Sequence, residues 1–180
     1  MKFSLNAAAL ILLTFAYPAT AAEPASPADA GKLIYERANC VGCHKWSGVG
    51  GGGYGGAALS LRATALDKQQ IEEIVTCGRP TTGMPHFTND AYKNGKCYGM
   101  SEDDVKDIMP PAANVVLRQR EIDEVADYVI ANIKGKGDPS LPDCVAYFGD
   151  TSRVCDIYRP KPAGAVASRH PMPTPSTTGP

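Results

Sequence analysis

Cys40-Val41-Gly42-Cys43-His44 is the stretch from which the rest of this 180-residue chain is read. Two cysteines separated by two residues and followed at once by a histidine form the attachment signature of c-type haem. The spacing has a chemical reason. Each thiol adds across one vinyl group of the porphyrin to give a thioether, and two intervening residues let both sulfurs reach neighbouring vinyls of one macrocycle. A histidine in the next position falls under the ring centre, where its imidazole ligates the iron from the proximal side. The pentad therefore predicts one haem c per chain, held by Cys40 and Cys43, with His44 as proximal iron ligand.

A cysteine pair of this spacing also serves zinc sites and thioredoxin-like redox centres. A zinc site would need a second Cys/His pair at similar spacing, and the other cysteines (Cys77, Cys97, Cys144, Cys155) are widely separated. A thioredoxin-like centre would need a βαβ context, which the chain lacks.

Working outward, residues 1–22 read as a secretory signal. Lys2 supplies the charge, 7–17 the apolar run, and Ala19-Thr20-Ala21 a small-residue cleavage site. The run is shorter than the roughly 20 residues of a membrane span, so a soluble exported protein without a span in its mature part is expected. Eighteen basic and nineteen acidic residues nearly cancel, and nothing in the charge pattern suggests nucleic acid. Outside the cytoplasm the four remaining cysteines are expected in disulfides. Of three possible connectivities, Cys77–Cys97 and Cys144–Cys155 join nearest neighbours and close loops rich in Gly, Pro and polar residues.

The helical pattern is local and readable. Ser26-Pro27-Ala28-Asp29 opens a helix that delivers the chain to Cys40, and Gly31 and Tyr35 lie four apart on one of its faces. Seven glycines in 48–56 leave too few side chains for a helix or strand, so a loop lying against the haem edge is expected there, with Trp46 packing on the porphyrin. Asp67 and Gln70 form a second helix start, stopped by Gly78 and Pro80. Ser101 with Glu102, Asp103 and Asp104 predicts a third short helix before Pro110-Pro111. Residues 117–133 carry the longest apolar stripe, Ile122, Val125, Ala126, Val129, Ile130 and Ile133, with Tyr128 placed to meet Gly31 and Tyr35. Residues 136–158 form a disulfide-closed extension, and 159–180 a tail too rich in Pro, Ser, Thr and Gly to order itself.

The second axial ligand decides whether such an iron is closed or reactive. Met84 is the favoured residue. It follows the histidine by about 40 residues and sits in a restricted Gly83-Met84-Pro85 turn. The order Gly31, Tyr35, Cys40-Val41-Gly42-Cys43-His44, Gly83-Met84-Pro85 and an amphipathic last helix resembles the class I, mitochondrial-type c-type cytochromes of the bacterial periplasm over residues 28–135.

That resemblance implies an all-α cytochrome c fold, about four helices around the haem with the first and last crossing, and His44 and Met84 as axial ligands. It also implies export to the periplasm and single-electron carriage between redox proteins, a dehydrogenase such as a quinoprotein as donor and an oxidase or another cytochrome as acceptor. The chain departs from the family pattern in three places. Gly56-Ala57-Ala58 lacks the proline that usually follows the glycine supplying a carbonyl to the proximal histidine. An insertion, 86–116, separates Met84 from the last helix and carries Met109-Pro110, which makes Met109 the second choice of ligand. The 136–158 extension and the tail lie outside the family core. An enzyme reading, peroxidase-like with His86 as distal acid–base group, and a fixed cytochrome subunit of a dehydrogenase are the alternatives.

Overall fold

The computed structural model describes residues 27–52 and 57–160. The expected signal segment, 1–22, and all of the tail beyond residue 160 lie outside the described residues. Those described are helical, with no β-strand among them and only isolated bridges joining His86 to Ala112 and Cys97 to Met100.

Helix α1 spans Pro27–Arg37, α2 is the five-residue turn Cys40–His44, α3 spans Lys68–Cys77, α4 spans Gln119–Tyr128 and α5 spans Leu141–Phe148. The start of α3 is built as its sequence predicts. Asp67 accepts from the backbone N–H of Gln70 at 2.9 Å, and the Gln70 side chain accepts from that of Asp67 at 3.0 Å, so two otherwise orphaned donors are satisfied. Its end is set by Gly78, whose N–H reaches the Ile74 carbonyl at 2.8 Å. The apolar stripe of 117–133 is not one uniform helix: α4 runs into a wider π-type turn, Val129–Ile133, where the Lys134 N–H bonds to the Val129 carbonyl at 2.8 Å.

The main core lies where α1, α3 and α4 meet, with Tyr35, Ile71, Val75, Ile122, Val125 and Ala126 buried in it. Helix α1 packs on α4 at Gly31, where a β-carbon would stand 2.2 Å from the Glu124 carbonyl oxygen and 2.5 Å from Tyr128 Cβ. One turn along, Tyr35 and Tyr128 meet ring to ring at 5.6 Å, so the glycine creates the close approach that the aromatic pair then fills. Helix α3 is tied to α4 by Lys68, which bridges Asp123 at 2.7 Å and Asp127 at 2.8 Å.

Two departures from the sequence expectations matter. Residues 102–108 form successive turns rather than a helix. The cap itself exists, since Ser101 N–H donates to Asp104 at 2.8 Å, but prolines 110 and 111 cut the segment short and Val105 alone is buried within it. A helical nucleus without length or an apolar face does not propagate. The insertion instead closes a satellite core of Cys77, Ala91, Tyr92, Cys97 and Val105, with Cys77 and Cys97 joined as a disulfide, S–S 2.12 Å.

The second departure concerns Trp46, whose ring contacts lie in the C-terminal extension. It packs on the extension, with ring centroids 5.6 Å from Tyr147, 5.4 Å from Phe148 and 6.1 Å from Tyr158. The extension is α5 followed by a tight turn, Arg153–Tyr158, joined by the Cys144–Cys155 disulfide. It is fastened to the body by Arg62, a side chain only 5% exposed, which bonds to Ser47 O at 3.0 Å, Lys136 O at 3.1 Å, Gly137 O, Asp138 O at 3.4 Å and the Asp143 carboxylate at 2.9 Å.

Candidate haem site

Helix α2 starts from Asn39 in the left-handed region, φ 58°, which turns the chain sharply out of α1. The turn is then held from behind. Tyr35, anchored in the core, donates its hydroxyl to the Lys45 carbonyl at 2.9 Å, and the N–H groups of Gly50 and Gly52 take the carbonyls of His44 at 3.0 Å and Cys43 at 3.2 Å. Gly50 is required by its place: its φ is +76° and a β-carbon would meet Ala58 O at 2.3 Å. The described glycines 48, 50, 51 and 52 thus wrap the back of α2 rather than lining the cavity, whose wall is formed by the residues that follow, 57–61. The rest of the glycine run, 53–56, lies outside the described residues.

On the front of α2 is an apolar cavity of about 300 Å³. Cys40, Cys43 and His44 line one side; Ile71, Ile74 and Val75 of α3 form a wall; Val125 and Val129 form the floor; Met84 closes the far side in the loop after α3. Both cysteines are half-buried and neither is bridged, although the other four are paired. Burial pushes the Cys40 thiol up to about 12, against the opposing effect of a backbone hydrogen bond.

The imidazole of His44 is oriented by its surroundings. Nδ1 lies 3.0 Å from the carbonyl oxygen of Leu59, an atom that only accepts, so Nδ1 carries the proton and Nε2 is left as the basic nitrogen. Burial holds the histidine below its ordinary pKa, with the Leu59 carbonyl acting in the opposite direction, which favours the neutral ring that a metal requires. Leu59 is the acceptor that the missing proline left unnamed.

Met84 is half-buried and packs against the main core, while Met109 is 38% exposed and does not line the cavity. Nor does His86, whose Nδ1 is 2.9 Å from Thr88 O. Among the described residues no group of three or more His, Cys, Asp or Glu is arranged to hold a bare metal ion. The donor set present, two unbridged thiols, a neutral imidazole with one free nitrogen and a thioether around an apolar void, is one that fits a covalently attached haem.

No helix among the described residues is long and apolar enough to cross a membrane. Residues 26–96 match a protein-family model described as cytochrome C oxidase, cbb3-type, subunit III. No curated protein and no solved structure shows significant similarity to the chain. The family match supports a class I c-type cytochrome, with covalently bound haem c implied by the matched domain.

Proposed function

We propose that the chain is a periplasmic monohaem c-type cytochrome that carries single electrons between redox partners and performs no substrate chemistry. The observation that supports this best is one cavity lined by Cys40, Cys43, His44 and Met84, with His44 Nδ1 already committed to Leu59 O at 3.0 Å. When bound, haem supplies reversible one-electron exchange at its iron. Cys40 and Cys43 would hold it as thioethers, and His44 and Met84 would supply the imidazole and thioether donors to its iron. Residues Ile71, Ile74, Val75 and Val125 exclude water from the site, which with a thioether ligand favours the reduced state and raises the potential. The partners in this reading are periplasmic redox proteins, a dehydrogenase such as a quinoprotein as donor and an oxidase or another cytochrome as acceptor. Their encounters are expected to be brief, over small interfaces.

The test is the absorption spectrum of the exported protein, oxidised and reduced, beside Met84→Ala and Met109→Ala, each with and without cyanide. A low-spin parent with the weak far-red sulfur–iron band, lost only in Met84→Ala, is expected. Loss only in Met109→Ala would move the ligand into the insertion. A high-spin parent that takes cyanide rapidly would replace the carrier with a haem enzyme.

A further inference from the structure

Resting on that reading of Met84, we propose that the insertion 86–116 is a clasp that holds the methionine loop against the cavity, and that Tyr98 is its positioning residue. The loop from Gly78 to Met84 is closed on itself by the Arg79 N–H, which donates to the Met84 carbonyl at 3.1 Å. Behind it, the Gly78 N–H is held by α3 through Ile74 O at 2.8 Å; the fastenings that reach the loop from later in the chain come from the insertion. The Tyr98 hydroxyl donates to the Gly78 carbonyl at 2.6 Å and the Thr81 N–H donates to Ile108 O at 3.1 Å, while inside the insertion the His86 N–H donates to Pro111 O at 3.0 Å and closes its two ends on each other. The Cys77–Cys97 disulfide fixes the residue before Gly78 to the residue before Tyr98.

The contact at Gly78 has no slack. Its φ is +67°, and a β-carbon there would stand 2.7 Å from Met84 O, 2.7 Å from Pro110 Cβ and 2.8 Å from His86 N. The peptide that Tyr98 grips is therefore the one on which the Met84 carbonyl, the buried Pro110 and the exit of the loop all converge. Tyr98 itself is held in the left-handed region, φ 56°, a conformation that costs a non-glycine residue free energy and persists only where its surroundings impose it. The Glu73 carboxylate contributes by accepting from the Tyr98 N–H at 3.1 Å. A methionine–iron bond is weak, so the position of its loop decides how often the thioether leaves and a competing ligand enters.

The experiment compares haem-loaded parent, Tyr98→Phe, Met84→Ala and Ile122→Val. Cyanide binding rates to the ferric form are measured with the pH at which the sulfur–iron band disappears. Ile122 is fully buried on α4 and does not line the cavity, so its truncation lowers global stability without touching the clasp. Losing the Tyr98 hydrogen bond is expected to speed cyanide binding roughly two- to tenfold and to move loss of the band to lower pH. Ile122→Val is expected to match the parent in both readouts. A cyanide rate in Tyr98→Phe equal to the parent's, or a rise shared equally with Ile122→Val, overturns the clasp while leaving Met84 as ligand. A parent without the sulfur–iron band, binding cyanide as fast as Met84→Ala, overturns the ligand assignment and the clasp with it.

Discussion

Replacing Gly31 with alanine sets two opposite effects against each other in one methyl group. Alanine in a helix interior is favoured over glycine by about 1 kcal/mol, so an isolated α1 would gain. In the folded protein the new carbon falls 2.2 Å from the Glu124 carbonyl oxygen, and reaching ordinary contact at 3.4 Å requires α1 and α4 to move apart by about 1.2 Å. The obstruction is main chain, so no side-chain rotation relieves it. Such a shift loosens the Tyr35–Tyr128 ring pair, a contact worth about 0.5–1.5 kcal/mol beyond its buried area, and the packing of Ile34 and Val125. Overpacking of this kind costs about 1–3 kcal/mol and occasionally more. With the upper part of that range set against the propensity gain, a net loss of about 2 kcal/mol follows, a fall in Tm of roughly 6–10 °C for a domain of this size. Thermal and guanidinium unfolding of the haem-loaded protein, followed by far-ultraviolet circular dichroism, measures it. Leu33→Ala, on the exposed side of α1, is the control and should stay within about 0.5 kcal/mol of the parent. If Gly31→Ala unfolds at or above the parent's midpoint, the close approach of α1 and α4 does not have the energetic role argued for it.

Arg62→Met should destabilise by about 3 kcal/mol, toward the low end for a broken buried pair because Asp143 keeps partial contact with water, and denaturant unfolding measures this. Burial raises the pKa of Asp143, but hydrogen bonds from Arg62 and Ser140 outweigh it and hold the carboxyl below its ordinary range. Its stabilisation is therefore complete above the unfolded-state pKa of about 3.9 and lost as pH falls through the folded value; unfolding midpoints measured from pH 6 to 2 should show a shallower acid decline in Asp143→Asn. Trp46→Ala removes the ring on which Tyr147, Phe148 and Tyr158 pack, and limited proteolysis should then cut within 136–160 well before the α1–α4 body is attacked.

What could be read from the sequence was what depends on side-chain identity over short range. The Asp67/Gln70 cap, the stop at Gly78 and the stripe of α4 each rest on residues within a turn or two of one another. The Gly31, Tyr35 and Tyr128 contact was also legible, because a glycine and an aromatic four apart leave a recess and its filler on one face. The structure brings Met84 to the cavity edge and leaves Met109 outside it, a distinction made by the insertion's path rather than by either methionine's neighbours. Leu59 was invisible as the partner of His44, and so was Arg62 as the anchor of the extension, for one reason. Their bonds run through main-chain carbonyls, which every residue carries, so no pattern of side chains announces them. Trp46 was misread because an aromatic beside a haem motif is drawn to the ring by default, while the competing partners lie about 100 residues later.

Arg62 also distributes mutational tolerance unevenly. Four of its five acceptors are backbone oxygens of Ser47, Lys136, Gly137 and Asp138, which substitution of those side chains does not remove. Those positions are free to drift as far as this junction is concerned, whereas a single change at position 62 breaks every strand of it at once. The polar junction between extension and body is thus written in one codon, beside the separate aromatic contact at Trp46, and related chains should vary at 136 and 138 long before they vary at 62.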